Sequence, residues 1–289
     1  MDRPAGVARR LVKQVLDRVG LLAPLSRRYH LWRARPGAAG LGVVDGLPLP
    51  PPDLMMLVGG DGDAARFVET GRGIAAAIED VLGRAGLRLD QFSAVLDFGC
   101  GCGRVLRHWS GVRGPRFHGC DVDSRLIAWC RDNLPHISCH VSSAAPPLDC
   151  PAAAFDFVVM FSVFTHLPRA AQQAWLAELA RVLRPGGHLL LTTHGEHYTS
   201  DLTAAERARF AAGELVLRFP NAAGSNACVA YHPEAAIRSL AAERFEIREF
   251  VPARFGQDFS LLQRQADPRS AHEPANDCRG SVDPGIRSP

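Results

Sequence analysis

Val95-Leu96-Asp97-Phe98-Gly99-Cys100-Gly101-Cys102-Gly103-Arg104 is the most informative stretch of this chain. Its first four residues read as a buried strand, and glycines end it. Glycine adopts φ > 0 at little cost and lets a ligand approach the backbone. At a strand-to-helix junction the free N–H groups also point outward. The spacing is G-x-G-x-G, and Arg104 stands where a dinucleotide fingerprint has Gly or Ala. Asp97 precedes the first glycine by two residues. A carboxylate there disfavours a pyrophosphate and suits a cationic ligand. The plainer alternative is a carboxylate hydrogen-bonded to loop amides, with no ligand role.

Outward from this loop, strands and helices alternate. Arg104 to Trp109 predicts a short helix, Arg116 to Cys120 a second strand and Ser124 to Asn133 a second helix. Ile137 to Val141 and Phe155 to Phe161 predict two more strands. Arg169 to Leu183 predicts a helix stopped by Arg184-Pro185-Gly186-Gly187, with a fifth strand over His188 to Thr193. Such alternation predicts an α/β fold, a mostly parallel sheet with helices on both faces. Upstream, Asp63 to Leu82 has helical spacing through Phe67, Ile74 and Ile78. Downstream, Pro233 to Glu243 predicts a helix, and Phe245 to Pro252 with Asp258 to Gln263 a pair of strands.

The ends differ from this body. Residues 5–22 predict a basic amphipathic helix with Val7, Leu11, Val15, Leu16, Val19 and Leu22 on its stripe, closed by Gly20 and Pro24. It is either a helix packed on its own domain or a partner, or an interfacial helix at an anionic membrane. Residues 36–52 read as a Pro/Gly linker, so residues 1–52 form an arm with its linker. Residues 53–264 form the main domain, and residues 265–289 a polar, Pro-containing disordered tail.

Hydrophobic residues make up 47% of the 289, enough for a core, so wholesale disorder is excluded. The net charge is +3, but residues 1–35 carry +7, which leaves the remainder at −4. A nucleic-acid role for the body is therefore not expected. No secretory leader or long apolar run is evident, so a cytoplasmic protein is expected, with its eight cysteines as reduced thiols and no metal site.

The glycine loop has company. His118-Gly119-Cys120-Asp121-Val122-Asp123-Ser124 places an acid at the end of the second strand, where it can accept both hydroxyls of a ribose. Together with Phe155 to Leu167 and Leu179 to Leu191, these segments resemble the class I S-adenosylmethionine-dependent methyltransferases over about residues 63–264. The resemblance implies a Rossmann-like seven-stranded sheet of order 3-2-1-4-5-7-6, with the last strand antiparallel and S-adenosylmethionine as cofactor. It implies cofactor contacts from Asp97, Gly99, Cys100, Gly101, Gly103, Arg104 and Phe161. Asp121 would hold the ribose and Val122 would lie against the adenine. Ser143 and Ala144 occupy the position where many members have an acid for the adenine amino group. Arg72 would pair with the methionine carboxylate, or be a surface residue. Asp123 reads as a helix cap.

Strand 4 narrows the acceptor. It lacks the Asn- or Asp-Pro-Pro-aromatic loop of base amino-methyltransferases, a catalytic-loop cysteine and the metal-binding carboxylates of the catechol type. A small-molecule or saccharide acceptor, or a protein side chain, remains. His166 and His194 are the leading base candidates, with His197 and His232 behind them. Residues 194–232 read as an insertion shaping the acceptor pocket. Two rival readings are a non-catalytic cofactor-binding module docked through residues 1–35 and a nicotinamide-dependent oxidoreductase.

Overall fold

The computed structural model describes residues 4–33 and 42–265. Seven strands form the central sheet: β1 Ala94–Phe98, β2 Arg116–Asp121, β3 Ile137–Val141, β4 Phe155–Met160, β5 Leu183–Thr193, β6 Phe245–Arg254 and β7 Gln257–Arg264. Their spatial order is β6-β7-β5-β4-β1-β2-β3. Read from the other edge this is 3-2-1-4-5-7-6, as the resemblance implied. The pairs among β1 to β5 are parallel, while β7 runs antiparallel to both β5 and β6.

All five residues of β1 are buried, because a central parallel strand is covered on both faces. Its side chains alternate between two cores. Val95 joins Ile74, Ile78, Val81, Trp109 and Phe157 on one face. Leu96 and Phe98 join Met160, Trp175, Leu179 and Ile237 on the other. The first face is covered by helix α4 (Ala64–Arg84), capped by Asp63, and by α5 (Ser124–Asn133). The second is covered by α6 (Arg169–Val182) and α8 (Glu234–Ala241). Each large apolar side chain buried here contributes about 1.5–3 kcal/mol.

Several local expectations are corrected. The Arg104–Trp109 segment is not an α-helix; only Leu106–Trp109 turns, as a 3-10 helix. Arg184-Pro185-Gly186-Gly187 lies within β5 rather than before it. Phe155 pairs with Leu183 and Phe157 with His188, so the four residues bulge from the ladder. Pro24 does not close the first helix. That helix is α1 (Pro4–Arg18), and Pro24 sits in the first turn of a second, α2 (Leu22–Arg33), where a missing N–H is harmless.

The linker reading also fails where the chain is described. Val43–Val44 and Leu47–Pro48 form a small hairpin around Asp45 and Gly46, both at positive φ, the turn an Asp-Gly pair favours. The buried guanidinium of Arg107 donates to the carbonyls of Val44, Leu47 and Pro48 and fastens the hairpin to the domain. Helix α3 (Pro52–Gly59) follows, with Pro52 in its first turn. The rest of the linker, residues 36–41, and the tail from 266 onward lie outside the described residues.

The 194–232 insertion is folded. It holds α7 (Ala204–Ala211), started by a Thr203–Glu206 capping box, and a hairpin of Val216–Arg218 with Val229–Tyr231. A single bridge from His194 to Tyr231 ties it to the end of β5. Among the described residues no helix is long and apolar enough to cross a membrane.

Candidate functional site

The glycine loop sits at the carboxyl edge of β1 and is clipped to β2. Gly99 and Cys100 both donate to the carbonyl of Cys120, at 2.8 and 3.0 Å. Gly99, Gly101 and Gly103 have φ of 80°, 58° and 73°, a region that side-chain-bearing residues rarely adopt. There is no room for a side chain either. A Cβ on Gly99 would meet Val163 Cγ2 at 2.6 Å, one on Gly101 would meet Val58 Cγ2 at 2.6 Å, and one on Gly103 would meet Leu134 Cδ1 at 2.3 Å. The loop is thus bare backbone packed closely against Val58 of α3, Val163 in the turn after β4, and Leu134.

Two carboxylates flank it. Asp121 accepts from Gly101 N at 3.0 Å and from Asp123 N at 2.9 Å. A carboxylate has about four acceptor directions, so two remain for other donors. Burial pushes the Asp121 carboxyl up, and the two amides pull against it. Asp97 is only 3% exposed, and among the described residues no hydrogen bond reaches its carboxylate. The loop amide it was a candidate to hold belongs to Asp121 instead. Burial, then repulsion from Asp121, pushes Asp97 up to about 7, with Arg104 opposing. A buried carboxylate without a donor is unfavourable alone and is satisfied by a cation.

The other expected cofactor residues fall in different places. Arg104 is half-buried, with its guanidinium 5.8 Å over the Phe161 ring and Nε without a partner. Cys100 is buried in the core beneath the loop. Val122, Ser143 and Ala144 are exposed beyond the ends of β2 and β3, which are tied by the bond from Ser142 N to Asp121 O. Asp123 caps α5, accepting from Arg125 N. Arg72 does not reach the loop; it is mostly exposed and pairs with Asp45 at 3.0 Å, the surface alternative.

After β4, Ser162 takes φ 60° and is held there from all sides. Its N–H donates to Thr192 Oγ1 at 2.8 Å, Thr192 donates to Gln257 Oε1 at 2.6 Å, and Gln257 Nε2 donates back to Ser162 Oγ at 3.1 Å. This network aims Val163 at Gly99 and starts the 3-10 turn Phe164–His166. The sequence reading missed it, because the three residues are far apart in the chain. It also missed Val58. Pro51-Pro52-Asp53, a proline-led helix start, was the available signal.

On the acceptor side, His166 and His194 come together, ring centroids 6.4 Å apart and edge to face. His166 Nδ1 lies 2.8 Å from the Cys228 carbonyl. A carbonyl only accepts, so Nδ1 carries the proton and Nε2 presents a lone pair. Burial lowers both imidazoles, His194 to about 4 with His166 adding to the effect. Tyr198 and Tyr231 flank His194 at 4.3 and 6.0 Å. His232 is fully buried against the Gln172 amide at 2.9 Å, a packing role, and His197 is exposed.

A Rossmann-like sheet with an acid-flanked glycine loop at its carboxyl edge defines a nucleoside-binding α/β domain. Residues 95–187 match the family described as a methyltransferase domain. A probable S-adenosylmethionine-dependent methyltransferase of Mycolicibacterium smegmatis is 39% identical over 100 residues, 34% of this chain and 37% of that protein. The chain thus matches little more than a third of that relative's length. A phosphatidylethanolamine N-methyltransferase of Cereibacter sphaeroides is 27% identical over 177 residues, 59% of this chain and 79% of that protein. Among solved structures, a putative methyltransferase of Haloferax volcanii, in complex with the Trm112 methyltransferase activator, aligns with a TM-score of 0.50 at 16% identity. The alignment covers 70% of this chain and 94% of that one, and it supports the fold alone.

Residues 95–187 are thus similar to S-adenosylmethionine-dependent methyltransferases, which makes S-adenosylmethionine the cofactor to set against the site. The residues present fit that molecule. It carries a sulfonium and an ammonium, and the site offers a buried, donorless carboxylate and a second carboxylate with spare acceptor capacity.

Proposed function

We propose that the protein transfers the methyl group of S-adenosylmethionine to an oxygen or nitrogen of a small-molecule or saccharide acceptor. The observation that carries this reading is Asp97, buried beside a left-handed glycine loop with no protein donor. In this reading Asp97 faces the cationic end of the cofactor, and Asp121 takes the ribose hydroxyls with its two remaining acceptor sites. Gly99, Gly101 and Gly103 let the backbone approach. Val122, Ser143 and Ala144 border the adenine, and Phe161 with Arg104 closes the side nearest β4.

The cofactor supplies a methyl group on a good leaving sulfur, so the protein's task is alignment and exclusion of water. His166 is oriented by the Cys228 carbonyl and stays neutral at pH 7, because burial lowers its affinity for a proton. Its Nε2 can therefore take the proton of an ammonium before the resulting amine attacks, or of an acidic hydroxyl as it attacks, with His194 alongside. An unactivated sugar hydroxyl is harder to deprotonate and needs closer alignment. The names of relatives, an N-methyltransferase and a malonyl-acyl-carrier-protein O-methyltransferase of Enterobacter lignolyticus, support either atom as acceptor.

The test is incubation of the purified chain with methyl-labelled cofactor and a fractionated metabolite extract. Label appearing on an oxygen or nitrogen of a small product is the expected result. Cofactor binding without any labelled product would instead favour a non-catalytic module.

A further inference from the structure

Twelve large hydrophobic side chains are exposed among the described residues, and eight of them belong to the α1–α2 hairpin: Leu11, Val12, Val15, Val19, Leu21, Leu25, Tyr29 and Trp32. Their spacing puts them on one stripe per helix. Leu11, Val15 and Val19 recur every fourth residue along α1 and just past its end, and Leu21, Leu25, Tyr29 and Trp32 follow the same period on α2. Trp32 is 79% exposed and Val15 60%. Tyr29 and Trp32 lie with ring centroids 6.3 Å apart.

The hairpin presents this face while its other face is fastened to the domain. Leu22 is buried against Ala222, Ala227 and Cys228. Asp17 is buried, Arg27 pairs with Asp123 at 2.9 Å, and Lys13 Nζ lies 5.8 Å over the Phe219 ring. So α1 turns Asp17 inward and Leu11, Val12 and Val15 outward, the reverse of a helix that merely covers its own core. The packed-helix alternative accounts for Leu16 and Leu22 but not for the rest of the stripe.

Charge indicates the occupant. Residues 4–33 carry a net +6 in a chain whose total is only +3. Arg10 and Arg27 are paired with Glu206 and Asp123, while Arg18 and Arg28 are exposed, and a second copy would bring the same two cations to the same hairpin. An apolar stripe on a hairpin with Arg18 and Arg28 exposed, and with Trp32 and Tyr29 at one end, is matched by the headgroup layer of an anionic bilayer, which takes up the apolar face and attracts the cations. We propose that the α1–α2 hairpin is a membrane-docking surface that lays its apolar stripe into the interface of an anionic bilayer. The hairpin sits on the 219–228 loop, whose Cys228 carbonyl orients His166.

The test uses the full chain and vesicles of phosphatidylcholine with or without about one third phosphatidylglycerol. Flotation with the anionic vesicles only, weakened by salt, is expected. Trp32 emission should shift to the blue, since Trp109 and Trp175 are buried already and Trp129 is partly so. A Val15→Asp/Trp32→Asp variant should partition about tenfold more weakly or worse. Arg18→Gln with Arg28→Gln should weaken binding to anionic vesicles roughly thirtyfold. Both variants change exposed residues, so circular dichroism and cofactor binding should match the parent. Failure to float, or flotation untouched by the Val15/Trp32 variant, overturns the assignment. So does light scattering that shows a dimer which this variant dissociates, because the stripe would then join two copies.

Discussion

Replacing Asp97 by Asn separates what the carboxylate does for folding from what it does for the cofactor. The group is buried, with its carboxyl raised from 3.8 to about 7. Between those values the unfolded chain has lost this proton while the folded chain keeps it, so the unfolded state binds fewer protons and stability falls as pH rises. Stability is complete below about 3.8 and its loss is complete above about 7. The difference corresponds to roughly 4 kcal/mol. Asn cannot ionise and avoids the penalty. Asp97→Asn should stabilise the cofactor-free protein by up to roughly 4 kcal/mol at pH 8.5 and by less than half of that at pH 5, read from urea denaturation. A cationic ligand binds the ionised form. Parent affinity for S-adenosylmethionine should therefore rise about tenfold per pH unit up to pH 7 and then level off. The variant should bind more weakly at pH 8 and show no such rise. A residue that lowers stability yet serves a ligand is common at binding sites. Calorimetry showing equal affinity and a parallel pH profile for the two proteins would refute the reasoning.

Three further outcomes test the site. Asp121→Ala should weaken cofactor binding by about tenfold to hundredfold, from loss of hydrogen bonds to a charged acceptor, with unchanged circular dichroism; unaltered affinity removes the ribose assignment. Gly99→Ala should destabilise by about 2–5 kcal/mol, from positive-φ strain and the Val163 contact. Adding Val163→Ala should recover only the contact, so a double-mutant cycle should give about 1–3 kcal/mol of coupling; a cycle within about 0.5 kcal/mol of zero would mean the turn after β4 yields freely. His166→Gln should lower kcat by about a hundredfold or more while cofactor affinity stays within about twofold, and His194→Gln should act in the same direction. Unchanged kcat in both would show that no base from this pair is needed.

The strand–helix alternation and the glycine loop were legible in the chain because both are written in local, contiguous signals, whereas the strand order and the cofactor came from the resemblance to a family. Short runs such as Phe155–Met160, rich in aromatic and β-branched residues, read as strands covered on both sides, and a G-x-G-x-G junction after Asp97 states its own backbone geometry. Asp121 was legible because it stands at the end of a strand beside the loop. The misreadings came where two signals compete. Pro24 and Pro52 start helices here, although proline also ends them, and Asp45-Gly46 marks a turn inside a stretch that composition alone calls a linker.

By itself, then, the sequence determined the strand–helix alternation, the glycine loop and its two acids, since these depend on residues near one another in the chain. Only the tertiary structure decided which donors each acid lacks, which imidazole meets the Cys228 carbonyl, and which face of α1 meets water. Each of those depends on residues brought together from distant segments, as Gln257 is to Ser162 and Leu22 to Cys228. Hydrophobic periodicity marks a stripe but does not say what covers it, because burial belongs to the packed whole and not to the helix alone.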